Sequence, residues 1–459
     1  MRHAPVALRE RGRLAALFRT IAHQARQQPG WHEPDRRNLR TWRQLVLGVV
    51  VARSTRLVTV SQAVFGQRAA KSVKAVAMGL AYFLTVADFP AATLSPQMLE
   101  AAVRQLDPSQ VATYRGKAIV VLDPTEYPKR SRGRGTRGRQ MEHIGRVRKP
   151  AKGGTSRRRA QRGRPAPQTA TTTGYVDVWA GLVLTGQQFL PLGRQLFSNR
   201  HPDLPSQNRV EETVLATALA LLDRLRWAAI AVADRGLGRK ELLVGLAAAR
   251  RDFVIRVDAD ITAFTPQTPD GALLAALLAQ QPALGQVVWD RGQEGALVCD
   301  ARVLTATIRF SRTGRQADVA TATLRFVELR PVDGTTDPLV LATTLPVLTL
   351  ADVRGVARVY AWRWAIETGF ETMKAWGLGR FMVRAWQAID RLLWIVAVAY
   401  ALLVVALRAP PLAILRDQAA ALLKRLAVLG RRLTVGKLAE AIGLDCARHH
   451  RAWTSVWLT

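Results

Sequence analysis

The sequence predicts an α/β protein: a mixed central sheet, a β-rich block set within it, and helical regions at both ends. Three observations carry that expectation. Two short apolar runs, KAIVVL at 117–122 and AAIAVA at 228–233, read as buried strands, and each is followed by an aspartate, Asp123 and Asp234. Between them lie a hairpin of two strands and then a helix, so the sheet is mixed and not strictly alternating and parallel. From 261 to 345 apolar and polar residues alternate, and helical periodicity returns at Asp352.

Composition bounds the rest. A chain of 459 residues is too long for one ordinary core, and 49% hydrophobic content is enough to fold. The formal net charge of +33 points to a polyanionic partner, nucleic acid before anionic membrane. Cys299 and Cys446 are the only cysteines, so neither a disulfide framework nor a zinc site is expected. The basic N-terminus lacks an apolar signal core, which implies a cytoplasmic protein. The Ala- and Arg-rich composition suggests a GC-rich bacterial source.

The first 115 residues read as helices: 37–53, 58–65, 68–84, and 96–106 with Ser95 as cap and Pro96 at its first position. Scattered Arg and Lys suit a DNA-binding helical domain; the plainer reading is a solvated basic face. The strand at 117–122 is expected to stop at Asp123-Pro124. Residues 129–164 hold fifteen Lys/Arg against one acid, Glu142, and read as a loop disordered until it meets phosphates. Residues 174–184 and 187–197 form a hairpin across Thr185-Gly186, followed by a helix at 208–225, the strand ending at Asp234, a helix at 239–251 and a strand at 252–257. Leu392 to Leu407 is sixteen residues without a charge, short of the roughly 20 that a membrane span needs, and reads as a buried core helix. Pro410-Pro411 marks a boundary before a helical tail.

The chemistry concentrates on Tyr360, Arg363, Glu367 and Lys374, spaced Tyr-x2-Arg-x3-Glu-x6-Lys. On one continuous helix at ~100° per residue they fall within roughly 60° of each other. Such a stripe carries a hydroxyl and two cations about a single carboxylate. With Asp123 and Asp234 it offers three hard oxygen ligands from three elements, which suits Mg²⁺. Two such ions can activate an attacking oxygen and stabilise a leaving one on phosphorus. Arg363 and Lys374 suit phosphates, and Tyr360 a phosphate or a base. Against this, Arg363–Glu367 is also an everyday i,i+4 pair. Glu126, Asp177, Asp258, Asp260 and Glu371 are lesser alternatives as ligands.

These residues resemble the signature of the YREK-bearing insertion-sequence transposases, a branch of the DDE transposases. All four signature positions match without a gap, and the likeness extends over VVLDPTEYPK and VADRG to cover about 117–408. The resemblance implies an RNase H-like core whose metal-binding and catalytic triad is Asp123, Asp234 and Glu367. It implies that Tyr360, Arg363 and Lys374 grip DNA phosphates. It further implies two Mg²⁺ ions, with Mn²⁺ as a substitute, and hydrolysis freeing a 3′-hydroxyl that attacks target DNA. The implied partners are double-stranded DNA, both terminal inverted repeats and target, and a second copy in a synaptic homodimer; no membrane is involved. Trp289, the one tryptophan of the β-rich block, is a candidate platform for a flipped base, or else a core residue of that block.

The expected organisation is a helical DNA-binding domain at 1–115 and a first core segment at 116–260 with a basic loop at 129–168. The β-rich insertion follows at 261–345, then the second core segment at 346–408 and a helical region at 409–459. Two other readings keep part of this pattern: a basic DNA-binding protein without catalysis, and a nuclease of the same fold that cuts without joining. The long Arg/Gly-rich loop after Asp123 and the N-terminal region depart from the family pattern.

Overall fold

The computed structural model describes residues 11–65, 72–129, 141–148, 171–204, 206–290, 295–311, 319–334, 336–426, 428, 432–449 and 453. Five helices come first: α1 Arg11–Arg26, α2 Arg36–Ala52, α3 Leu57–Phe65, α4 Val73–Thr85 and α5 Ala91–Val103. Polar side chains start two of them. Asp35 accepts from the Arg37 and Asn38 amides, and Ser72 from the Ala75 amide, satisfying donors that a first helical turn leaves free. Helix α5 corrects the expected start at Pro96. It begins at Ala91, and Pro96 lies inside it with Ser95 buried rather than capping. Ala91 and Leu94 are buried, so the apolar face starts a turn before the proline. Packing of α5 against α1 and the long helix described below offsets the missing backbone donor.

The sheet follows: β1 Thr113–Tyr114, β2 Lys117–Pro128, β3 Gly145–Arg148, β4 Thr171–Leu184 and β5 Gln188–Phe197, then α6 Gln207–Arg224, β6 Ala229–Ala233, α7 Lys240–Ala248 and β7 Asp252–Arg256. Strands lie in the order β5-β4-β2-β6-β7, antiparallel from β5 to β2 and parallel from β2 to β7. This open mixed arrangement is that of an RNase H-like core. Strand β2 does not stop at Pro124. Its parallel pairing with β6 ends at Leu122↔Ala233, while antiparallel pairing with β4 continues to Pro128↔Gly174. Pro124 therefore lies past the end of β6, where one edge of β2 has no donor to lose. Within the basic stretch, residues 145–148 form a strand on β4 instead of a loop. Residues 130–140 and 149–168 of that expected loop lie outside the described residues.

The β-rich block comprises β8 Thr262–Thr265, β9 Thr268–Leu273, a short helix α8 Leu274–Ala279, β10 Gly285–Asp290, β11 Ala296–Ser311, β12 Val319–Pro331 and β13 Leu339–Thr343. It is continuous with the core sheet, because β13 pairs with β7 through Leu341↔Arg256 to Thr343↔Val254. Helices α9 Leu350–Ala361, α10 Trp364–Ala375, α11 Trp386–Arg408, α12 Ala413–Arg425 and α13 Val435–Arg448 complete the chain. Helix α11 is long and apolar enough to cross a membrane, yet almost all of it is buried within the protein, as a core helix is.

A buried charge network joins the sheet to α11. Asp177 on β4, fully buried, accepts from Tyr127 Oη at 2.9 Å, Trp179 Nε1 at 2.7 Å and Arg194 Nε at 2.8 Å. Arg194 Nη1 also reaches Asp390 Oδ1 on α11 at 2.7 Å. Burial pushes the Asp177 carboxyl up, opposed by the Arg194 charge. Burial alone would lower the Arg194 guanidinium, but Asp177 and Asp390 outweigh it. Arg194→Leu strands Asp177 without its counter-ion, and loss of one buried partner costs about 3–5 kcal/mol. Urea unfolding is expected to show a loss of that size; a loss below about 1 kcal/mol would mean that Asp177 is neutral in the folded protein.

Candidate active site

Strand register builds the site. Leu122↔Ala233 is the last parallel pair of β2 and β6, and Ala233↔Ile255 the last of β6 and β7. The residues that follow, Asp123, Asp234 and Arg256, therefore sit side by side at the C-terminal rim, where open α/β sheets bind ligands. Asp234 leads into a 3₁₀ turn at 235–237. Arg256 Nη1 lies 3.9 Å from Asp234 Oδ1.

The helical half differs from one continuous stripe. Helix α9 ends at Ala361 and α10 begins at Trp364. Between them the ladder tightens to i−3 bonds: Arg363 N to Tyr360 O at 3.0 Å, Ala365 N to Trp362 O at 3.0 Å, Ile366 N to Arg363 O at 3.2 Å. Tyr360 thus closes one helix, Arg363 opens the next, Glu367 lies in its first turn and Lys374 in its last. Helix α10 is partly buried, through Ala365, Ile366, Gly369, Phe370 and Met373, while Trp364 is exposed.

The side chains nevertheless converge. Tyr360 Oη donates to Asp234 Oδ1 at 2.8 Å, and Arg363 Nη1 to Glu367 Oε1 at 2.6 Å. The Arg363 side chain is 11% exposed against 31% for Glu367. Arg363 Nε is buried with no hydrogen-bond partner, an unused donor at the centre of the cluster. Burial works against the Arg363 charge, yet Tyr360, Asp234, Glu367 and Asp123 together hold its pKa above the ordinary value. Lys374 is exposed, within electrostatic reach of Asp123, its Nζ 5.6 Å from the Phe370 ring centre.

The two aspartates respond oppositely. Asp123 keeps some solvent contact but is crowded by protein; burial pushes its carboxyl up to about 7, reinforced by Glu367 and Asp234 and opposed by Arg363 and Lys374. Burial would raise Asp234 as well, but Arg363, the Arg235 amide, Tyr360 and Arg256 hold it below its usual range. Burial and the Asp234 carboxylate push the Tyr360 phenol up, so it donates as a neutral hydroxyl.

Three carboxylates are a hard oxygen donor set, the chemistry of Mg²⁺. Asp123, whose negative charge is the least compensated, is the kind of ligand a cation would stabilise. In this conformation, however, no three His, Cys, Asp or Glu side chains among the described residues are gathered to hold an ion. Arg363 and Tyr360 instead engage one oxygen each of Glu367 and Asp234.

The remaining candidates separate from the cluster. Asp177 is spent on Arg194. Asp258 pairs with Arg235 at 3.4 Å, Glu371 is exposed, and Glu126 and Asp260 lie outside the hydrogen bonds that join the cluster. Trp289 is partly buried against the core in β10. Arg256 was missed by sequence reasoning, although the signal was present: like both aspartates, it follows the last apolar pair of a parallel strand.

The sign of the Asp123 shift gives a test. A carboxyl raised from 3.8 to about 7 binds its proton more tightly when folded, so that stability is present at low pH and is lost as pH rises from about 4 to about 7. Asp123→Asn mimics the protonated acid. Without divalent ions its melting temperature is expected to exceed that of the wild type by roughly a few degrees at pH 8 and to match it at pH 4. Equal melting temperatures at pH 8 would show that Asp123 carries no excess charge.

Sequence comparison adds an independent finding. No curated protein matches the chain. Residues 203–402, which include Asp234, Tyr360, Arg363, Glu367 and Lys374, match the family model of the transposase DDE domain. Over 203–402, therefore, the chain carries a domain of the DDE transposase family.

Proposed function

We propose that this chain is a DNA transposase of the YREK group that cuts and joins the ends of an insertion sequence. The observation that supports it most is the convergence of Asp123, Asp234, Tyr360, Arg363 and Glu367 around one strand rim, from opposite ends of the catalytic segment. Asp123, Asp234 and Glu367 would hold the divalent ions, Mg²⁺ or Mn²⁺. A divalent ion held by these carboxylates would supply charge to activate the attacking oxygen and stabilise the leaving one in phosphoryl transfer.

The protein's own groups prepare that reaction. Tyr360 fixes the Asp234 carboxylate by its hydroxyl, and Arg256 adds positive charge to the same oxygen. Arg363 balances the carboxylates while no substrate is present. A DNA phosphate would compete for its guanidinium, drawing on the idle Nε and releasing Glu367 to the ions. Lys374, exposed at the end of α10, would take a second phosphate as a point charge. Hydrolysis at each element end frees a 3′-hydroxyl, which then attacks target DNA, and two copies hold the two ends together. Trp289, partly buried in β10, would offer its ring as a platform for a flipped base.

One observation favours a DNA-binding protein without catalysis: Glu367 is already engaged by Arg363. The deciding experiment incubates protein, Mg²⁺ and DNA carrying the inverted repeats that flank its gene, beside Glu367→Gln. End-specific cleavage and joined products, lost in the variant, are expected. Cleavage without joining would identify a nuclease, and binding without cleavage a DNA-binding protein. Tyr360→Phe removes a hydrogen bond to a charged group, worth about 1.5–3 kcal/mol, so the cleavage rate is expected to fall roughly 10–100-fold with DNA affinity little changed. An equal fall in affinity would place Tyr360 on the DNA instead.

A further inference from the structure

Hydrogen bonds fasten the N-terminal helices to α11 and to the turn after α10. Arg391 of α11, buried, donates to the Phe83 and Leu84 carbonyls at the end of α4, at 3.0 and 3.3 Å. Thr55, buried in the turn between α2 and α3, donates its hydroxyl to Gly377 O at 2.8 Å. Gly377 ends the helix that carries Glu367 and Lys374. It holds φ +94°, and a Cβ there would lie 2.9 Å from Thr55 Oγ1, so glycine permits the close approach.

That second junction gathers cations. Arg56 follows Thr55. Gly377 N donates to Lys374 O at 3.0 Å and Arg380 N to Gly377 O at 2.7 Å, so Lys374 and Arg380 flank the same turn. All three side chains are exposed, and none forms an ion pair among the described residues. Nearby, Glu440 is taken by Arg53 at 3.7 Å and Lys437 at 2.9 Å, which leaves Glu371 as the neighbouring acid on α10. The sequence from 36 to 87 holds nine Arg/Lys and no acid.

We propose that duplex DNA leaves the carboxylate site along α10 and crosses the Thr55–Gly377 junction onto the N-terminal helices, with Lys374, Arg380 and Arg56 on its phosphates. The proposal rests on the transposase reading for its substrate. Lys374 sets the start of the path, since it lies within electrostatic reach of Asp123. Arg56 sets its direction, because it springs from the N-terminal domain at the point of contact. Exposed cations about one junction, without ion pairs among the described residues, suit a phosphate backbone, which fixes register without reading bases. Because Thr55 and Gly377 are hydrogen-bonded at this junction, one stretch of DNA would touch both halves of the molecule, coupling end binding to placement at the site.

Fluorescence anisotropy with a labelled random-sequence duplex of about 30 base pairs, read across KCl concentrations, tests this. Arg56→Ala and Arg380→Ala are each expected to weaken binding roughly 3–10-fold and to reduce the slope of log affinity against log salt by about 1, the double variant by about 2. Arg56→Lys keeps the charge and most of the affinity, which separates lost contact from misfolding. Arg250→Ala, exposed before the N-terminal end of β7 and so at the opposite rim of the parallel strands, serves as the control and is expected to bind as the wild type does. Unchanged affinity and slope in the double variant, beside weakened Lys374→Ala, would overturn the path and leave the transposase reading standing. Absence of salt-dependent duplex binding by the wild type would overturn both. Loss of binding to phosphatidylglycerol vesicles alone would assign the patch to a lipid surface and overturn the path.

Discussion

The pairing of Leu122 with Ala233 across β2 and β6 places the next residue of each strand, Asp123 and Asp234, on one rim. Neighbouring strands lie about 4.8 Å apart, so two carboxylates are brought together by backbone hydrogen bonds alone. Like charges at that spacing disfavour ionisation, and burial adds to the cost. The rest of the site is arranged around this concentration of negative charge. Arg256 ends the third parallel strand, Tyr360 donates to one aspartate, and Arg363 stands among all three acids.

The compensation is uneven, and that unevenness carries chemical meaning. Asp234 receives a phenol, a backbone amide and two guanidinium charges and stays below its ordinary pKa. Asp123 has Arg363 and Lys374 only at a distance and rises to about 7. A site satisfied entirely by its own residues would have no use for a cation. Here one acid remains under-compensated, while Arg363 Nε remains without a partner. Both deficits are of the kind that a cation and a phosphate would fill together.

The surrounding architecture explains why such a cluster holds its shape. Asp177 and Arg194 lock β4 and β5 to α11 beneath the site through a buried network that includes Asp390. Helix α11 in turn holds the end of α4 through Arg391, and Thr55 touches the turn after α10. The N-terminal helices are thus fastened directly to α11 and to the turn that ends α10.

Much of this was legible in the residues. Apolar runs ending in aspartate, the Thr185-Gly186 hairpin, the alternation after 261 and the uncharged run at 392–407 located strands, sheet and core helix, because each depends on local periodicity or turn chemistry. The Tyr360–Lys374 spacing located the cluster, since residues three and four apart in a helical segment face one side. What the sequence did not hold was pairing. That β2 passes Pro124 depends on where β6 ends, and Pro96 lies inside α5 because tertiary packing outweighs a lost hydrogen bond. The meeting of Tyr360 with Asp234 joins residues more than a hundred positions apart, and that of Arg256 with Asp234 depends on the pairing of β7 with β6. Local chemistry sets which side chains a segment can offer; only the folded sheet decides which of them meet.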